Sequence, residues 1–332
     1  MNLLKFKIVL LGLSCAFASA TYGQSNVQDN ADEVETRRVT LRDSILGQIN
    51  GAKMPDNQVY ITSFGAKGDG VKDCLPAFKK AMRMADKKGG LRIIVPTGVW
   101  YVKGPITLTN NVCLDVREGA TIKFTSEAKY YPVVKTSWEG TFLYNYSPMI
   151  YGYGLKNVSI IGNGTIDGNS LATFATWRNS QNADRQLSRE MNHKEVALNK
   201  RQFGPGHLLR PQLIQLYDCE GVTLEGVKMT NSPFWCIHLL KSANIICRSL
   251  RYDAKLPNND GIDPECSRNI LIENVEFNNG DDNVAVKSGR DNDGWNAKTP
   301  SENIVIRNCR FKGLHAVVIG SEMSAGVQNV IV

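Results

Sequence analysis

The 332-residue sequence contains no Cys-x-x-Cys pair, which removes the usual thiolate frame of a zinc site. The glycine-rich stretch 64–70 lacks a Gly-Lys-Ser/Thr ending, so it reads as a turn and not as a phosphate cradle. No arginine-rich arm or aromatic platform is present, and nucleic acid is not an expected partner. Only residues 8–18 form a long apolar run. That run is too short to span a bilayer, so no membrane-spanning segment is expected. A dense leucine frame is also absent, which argues against leucine-rich repeats.

What remains is a moderately apolar chain with a formal charge of +7, from 39 Lys plus Arg against 32 Asp plus Glu. The charge is not clustered. It suits an anionic ligand and an ordinary solvated surface alike. Lys5 and Lys7, the apolar run and Ala18-Ser19-Ala20 have the form of a secretory signal peptide over residues 1–20. The expected location is therefore secreted or periplasmic. Seven cysteines lie beyond that segment. Export permits disulfides, but the odd number leaves at least one thiol unpaired within the chain, and buried small residues are their expected role.

Residues 21–57 are polar and charged and read as a leader with at most one short helix. Residues 73–88 have Ala77, Phe78, Ala81, Met84 and Ala85 on one face, Asp73 as a start signal and Gly89-Gly90 as a stop. This helix is placed to cap the open end of a stack of strands. After it come short β-rich pieces punctuated by Pro, Gly and Asn.

A repeat then emerges. Asn157-Val158-Ser159-Ile160, Gly221-Val222-Thr223-Leu224, Asn244-Ile245-Ile246-Cys247, Asn269-Ile270-Leu271-Ile272, Asn303-Ile304-Val305-Ile306 and Asn329-Val330-Ile331 share one form. From Val222 onward the aligned aliphatics are 23, 25, 34 and 26 residues apart. Such periods, with strands and no helix per unit, predict an all-β, right-handed parallel β-helix over residues 58–332. The aligned asparagines could form a ladder or simply favour a turn. The long stretches 171–210 and 288–300 are insertions, which in a solenoid form loops on one face. They could build a binding surface or be solvated excursions. Asp291-Asn292-Asp293-Gly294 does not fit a calcium loop, since Gly289 and Pro300 occupy ligand positions. No cofactor is expected.

The repeat serves as a ruler for the acidic motifs. Asp281 lies 11 residues after Ile270, and His315 lies 11 after Ile304. Asp260 lies 15 after Ile245, which matches if its turn carries about four extra residues. The ruler thus brings Asp260, Asp281 with Asp282, and His315 to one face of successive coils. Carboxylates that close cannot all ionise at ordinary cost, so one of them holds a proton. A protonated and an ionised carboxyl together supply the acid and the base of glycoside hydrolysis. Spacing leaves the stereochemistry open.

Asn258-Asn259-Asp260-Gly261-Ile262-Asp263, Gly280-Asp281-Asp282 and Gly313-Leu314-His315 with Gly320-Ser321-Glu322 resemble the polygalacturonases, family 28 glycoside hydrolases. Residues 64–70 and 231–235 resemble its bacterial members. The resemblance implies an inverting hydrolase of α-1,4-linked galacturonic acid, with a pectin-type polysaccharide as partner. It implies Asp281 as general acid, Asp260 and Asp282 positioning water, and His315 supporting the acid. Asn258 and Lys287 match positions near the sugar. The insertions and the Gly-Ser-Glu-Met-Ser string resemble exo-acting members. Departures are Asn259 for Thr, Leu314 and Ala316 for the glycines flanking His315, and no Arg-x-Lys motif after it. On that last point the expectation is that C-terminal coils are missing and that residues 21–332 alone are weakly active or inactive. A rhamnogalacturonan hydrolase, a pectate lyase and a non-catalytic polysaccharide-binding β-helix are the competing readings. A solenoid needs no partner for its core, so a monomer is expected.

Overall fold

The structure, a computed structural model, describes the backbone of residues 23–332 and the side chains of residues 30–332. The signal-peptide reading of residues 1–20 lies outside the described residues.

Short strands stack in three parallel sheets of nine, five and seven strands, and form a right-handed parallel β-helix. The aliphatic ruler sets the nine-stranded sheet. Val112, Val158, Val222, Ile245, Ile270, Ile304 and Val330 pair in one column across successive coils. Most of them point into the coil and are fully buried. Each such burial stabilises the coil by roughly 1.5–3 kcal/mol. All seven described cysteines are free thiols, buried except for half-buried Cys309.

The asparagines do both things considered for them. Asn244, Asn269, Asn303 and Asn329 all turn the chain with φ of 54–57°. Their amides also form a ladder, Asn303 to Asn269 at 3.1 Å and Asn329 to Asn303 at 2.9 Å. Left-handed backbone costs an ordinary residue about 1–2 kcal/mol, and a ladder bond contributes about 1 kcal/mol. Asn269→Ala is therefore expected to lower unfolding free energy by about 2 kcal/mol, and Asn269→Gly by only about 1. Denaturant midpoints for the two variants check this ordering.

The 21–57 reading needs correction. A 26-residue helix, α1 (Gly23–Gln48), occupies most of the segment. Among its described side chains, only those of the last turn are apolar and packed, with Ile45 buried. Ile45 packs on Leu271, Val305 and Ile331, on the outer face of the nine-stranded sheet. The chain then straps the same sheet, with Ala52 N–H donating to Thr223 Oγ1 at 3.0 Å. So little apolar surface reads as leader in sequence, yet a few side chains suffice to anchor it.

The capping helix is α2 (Leu75–Lys88), two residues shorter at its start than expected. Asp73 still serves it, accepting the Leu75 N–H at 2.9 Å. Met82 takes the buried place expected for Met84.

The insertion 171–210 is folded. It contains α3 (Asn182–His193) and meets α4 (Asp291–Ala297) of the second insertion. Arg201 pairs with Asp293 at 2.6 Å, and Asn192 Nδ2 donates to Arg290 O at 2.9 Å. An antiparallel hairpin, Val133–Trp138 with Thr141–Tyr146, joins them. Phe142 N–H donates to Asp293 Oδ2 at 2.8 Å. The three pieces form one wall along the seven-stranded sheet.

Candidate active site

The seven-stranded sheet carries the acidic motifs on its last coils. Ile262, Val284 and Val317 pair in register and point inward. Two positions before them lie Asp260, Asp282 and His315. This corrects the ruler by one residue: His315 matches Asp282, not Asp281. Val284 follows Ile270 by 14 residues, whereas Val317 follows Ile304 by 13. The turn between the two sheets changes length from coil to coil, and a count across it drifts. The contact agrees, with His315 Nδ1 2.7 Å from Asp282 Oδ1. His315 is otherwise open, 59% exposed at its side chain.

Asp281 is held separately. Its Oδ2 accepts the Asn258 N–H at 3.2 Å and its Oδ1 the Asp282 N–H at 3.1 Å. Asn258 has φ 57°, which aims its N–H across to the next coil. The Asn279 amide ties the same turn, donating to the carbonyls of Asn259, Asp281 and Asp282. Asn259 is buried and donates to Ser232 O and Phe234 O at 2.9 Å each. This gives it a bracing role in the coil.

Asp260 carries the raised pKa expected of one carboxyl. Burial pushes it up to about 7; Lys287 opposes this, while Asp281 and Asp282 add to it. Asp263, fully buried behind it, is raised further by burial and by Asp260. Lys287, expected beside the sugar, instead lies beneath the acids with 5% side-chain exposure. Its Nζ is 3.9 Å from Asp260 Oδ2, 3.8 Å from Asp263 Oδ1 and 3.3 Å from Glu322 Oε2. It donates to Gly320 O at 3.0 Å and sits 4.8 Å from the Trp235 ring centre. Burial works against its charge, but Glu322, Asp263 and Asp260 outweigh that and raise its pKa. Glu322 in turn pairs with Arg290. Burial raises the Glu322 pKa, but Lys287 and Arg290 prevail and hold it below the usual range.

Asp263, Glu322 and Arg290 were not singled out from sequence as site residues. Asp263 had a usable signal: strand alternation from inward Ile262 turns it outward beside His238. Glu322 and Arg290 meet only because the second insertion folds back.

The Asp260 carboxyl gives stability a definite pH dependence. Its folded pKa of about 7 lies above the ordinary aspartate value of 3.8. Between those values unfolding releases a proton, so stability falls as pH rises from about 4 to about 7. Asp260→Asn is expected to flatten that slope, as read from urea midpoints at pH 4.5 and pH 7.

Among the described residues no group of three or more His, Cys, Asp or Glu is arranged to hold a metal ion. Half-buried carboxylates, one raised by burial, on a rigid β-helix beside an open groove define the class of a carbohydrate-cleaving solenoid. Residues 89–332 match the family model "Glycosyl hydrolases family 28", and the chain belongs to that family. It is 41% identical to a hyperthermoactive exopolygalacturonase from Thermotoga maritima, with a TM-score of 0.85 over 88% of this chain and 69% of that one. A Vitis vinifera protein named "Probable polygalacturonase" is 31% identical over 81% of this chain and 52% of its own length. An exo-poly-alpha-D-galacturonosidase of Dickeya chrysanthemi is 27% identical over 82% of this chain and 49% of its own. The chain thus spans about half the length of these curated relatives.

Proposed function

We propose that the protein hydrolyses α-1,4-galacturonosidic bonds of a pectin-type polyuronide, with inversion, from a chain end. The observation that carries the reading is the Asp281 carboxyl group, held by two backbone N–H groups beside the Asp282–His315 pair and buried Asp260. Asp281 gives a proton to the departing glycosidic oxygen. Asp260 and Asp282 orient a water, whose oxygen attacks the anomeric carbon as one carboxylate takes its proton. His315 acts on this step through Asp282. Lys287 keeps the acids together as their counter-charge. Asn258 acts through its N–H on Asp281, while its side-chain oxygen is taken up by Arg210.

The substrate class has local support. A groove beside the acids is lined by Lys255, Asn279, Gly280, Lys312, Gly313 and Leu314. Its two lysines suit a polyanion. Leu314, bulkier than the family's glycine, is 66% exposed on this rim. For chain-end attack, the support is the wall built by the two insertions and the hairpin, together with the names of the Thermotoga and Dickeya relatives. We further propose that the chain acts as a monomer outside the cytoplasm, as the sequence of residues 1–20 suggests.

The experiment is product analysis on polygalacturonate and on rhamnogalacturonan, done with the intact full-length protein. Galacturonate or its dimer from the outset, on the first substrate only, is the expected result. A ladder of oligomers would make the action endo. Cleavage of rhamnogalacturonan alone would change the substrate. Unsaturated products lost with a chelator would replace hydrolysis by elimination. Binding without new reducing ends would make the protein a carbohydrate-binding β-helix.

A further inference from the structure

Arg210 closes the first insertion, and it is 0% exposed. A buried guanidinium must find acceptors for its donors. Nε donates to Gln181 Oε1 at 2.9 Å, and Nη1 to Pro233 O and Pro257 O at 3.0 Å each. Nη2 donates to Asn258 Oδ1 at 2.7 Å. The group also lies 5.1 Å from the Phe234 ring centre. None of these acceptors is a carboxylate. Burial, and after it Arg178, lower the Arg210 pKa to about 10 against the pull of Glu139, Asp260 and Asp281. A buried cation without a direct partner is a costly brace if bracing is its whole task.

The Asn258 contact shows where the brace leads. Asn258 stands in the left-handed region, and its N–H reaches Asp281 Oδ2. Its side chain is anchored from one side by Arg210, and its peptide plane is aimed at the acid on the other. Pro257 O, on the preceding residue, is held by the same guanidinium. Two contacts thus fix the short segment that presents the N–H.

We propose that Arg210 is a positioning residue for Asp281, anchoring Asn258 so that its N–H orients the acid toward the glycosidic oxygen. This rests on the reading of Asp281 as general acid. It gives the insertion a task in the chemistry besides walling the cleft.

A leaving group that needs no proton separates this role from plain bracing. In the intact protein, Arg210→Met is expected to lower kcat on oligogalacturonide about 100-fold, the scale of a misplaced catalytic group. KM should stay within about twofold. On α-galacturonosyl fluoride, whose fluoride departs without protonation, the loss should be under about threefold. Asn258→Gly keeps the N–H and the left-handed turn but lacks Oδ1. It should show the same split, and the double variant should lose no more than either single one. Equal losses on both substrates, or losses that multiply, would overturn the proposal. If Arg210→Met does not fold, Arg210→Lys and Asn258→Gly carry the same comparison. A parent that cleaves neither substrate would overturn the hydrolase reading and this inference with it. An active parent whose variants lose both substrates alike would overturn this inference alone.

Discussion

Asp281→Asn is expected to lower kcat on polygalacturonate by about 10²–10⁴-fold, the usual contribution of a general acid. An amide cannot deliver the proton, although it fills the same space. The substitution has a smaller structural cost. Both Asp281 oxygens accept backbone N–H groups, from Asn258 and Asp282. An amide keeps only one of those acceptors, its oxygen, and its NH2 group donates. One N–H is then left short of a partner, at about 1–3 kcal/mol. Activity per folded molecule, with the folded fraction read by circular dichroism, separates the two effects. Unchanged turnover in a folded variant would remove Asp281 from the role of acid.

Lys287→Met is expected to cost about 3–5 kcal/mol of stability, the range for breaking a buried ion pair from one side. Three carboxyl groups lie within 4 Å of its Nζ, and all three are buried. The effect should depend on pH. Asp260 gains a proton below about pH 7, and a neutral carboxyl needs no counter-charge. The loss at pH 4.5 should therefore be smaller than at pH 7. Urea titrations at both values check the size and the sign. A similar loss at both would mean that packing against Trp235, not charge, is what Lys287 contributes.

The β-helix was legible because its rule is local. Each coil returns an aliphatic residue to the same inward place, and Val158, Val222, Ile245, Ile270, Ile304 and Val330 keep that place in the structure. Turn length follows no such rule. A single extra residue between Ile270 and Val284 shifts the column so that His315 meets Asp282. Periodicity therefore found the site but missed its pairing.

The undetected parts have a common cause. Lys287 reads as a cation free for an acidic sugar, but Asp263 and Glu322 surround it, and neither is near it in sequence. Arg210 satisfies itself on two carbonyls and two side-chain amides, contacts that leave no pattern in residue types. α1 has one buried turn among exposed ones and gives no helical stripe to read. The folded wall of the insertions depends on Arg201–Asp293 and Asn192–Arg290, pairs about 90 to 100 residues apart.

The proposed reaction is direct displacement at the anomeric carbon by water set against Asp281. Proton NMR of the first product released from trigalacturonate tests it before the anomers equilibrate. The β-anomer of galacturonate, inverted from the α-linkage, is the expected product, and it should be lost in Asp281→Asn. The α-anomer would mean a covalent intermediate, and a vinylic proton from an unsaturated sugar would mean elimination; either would contradict it.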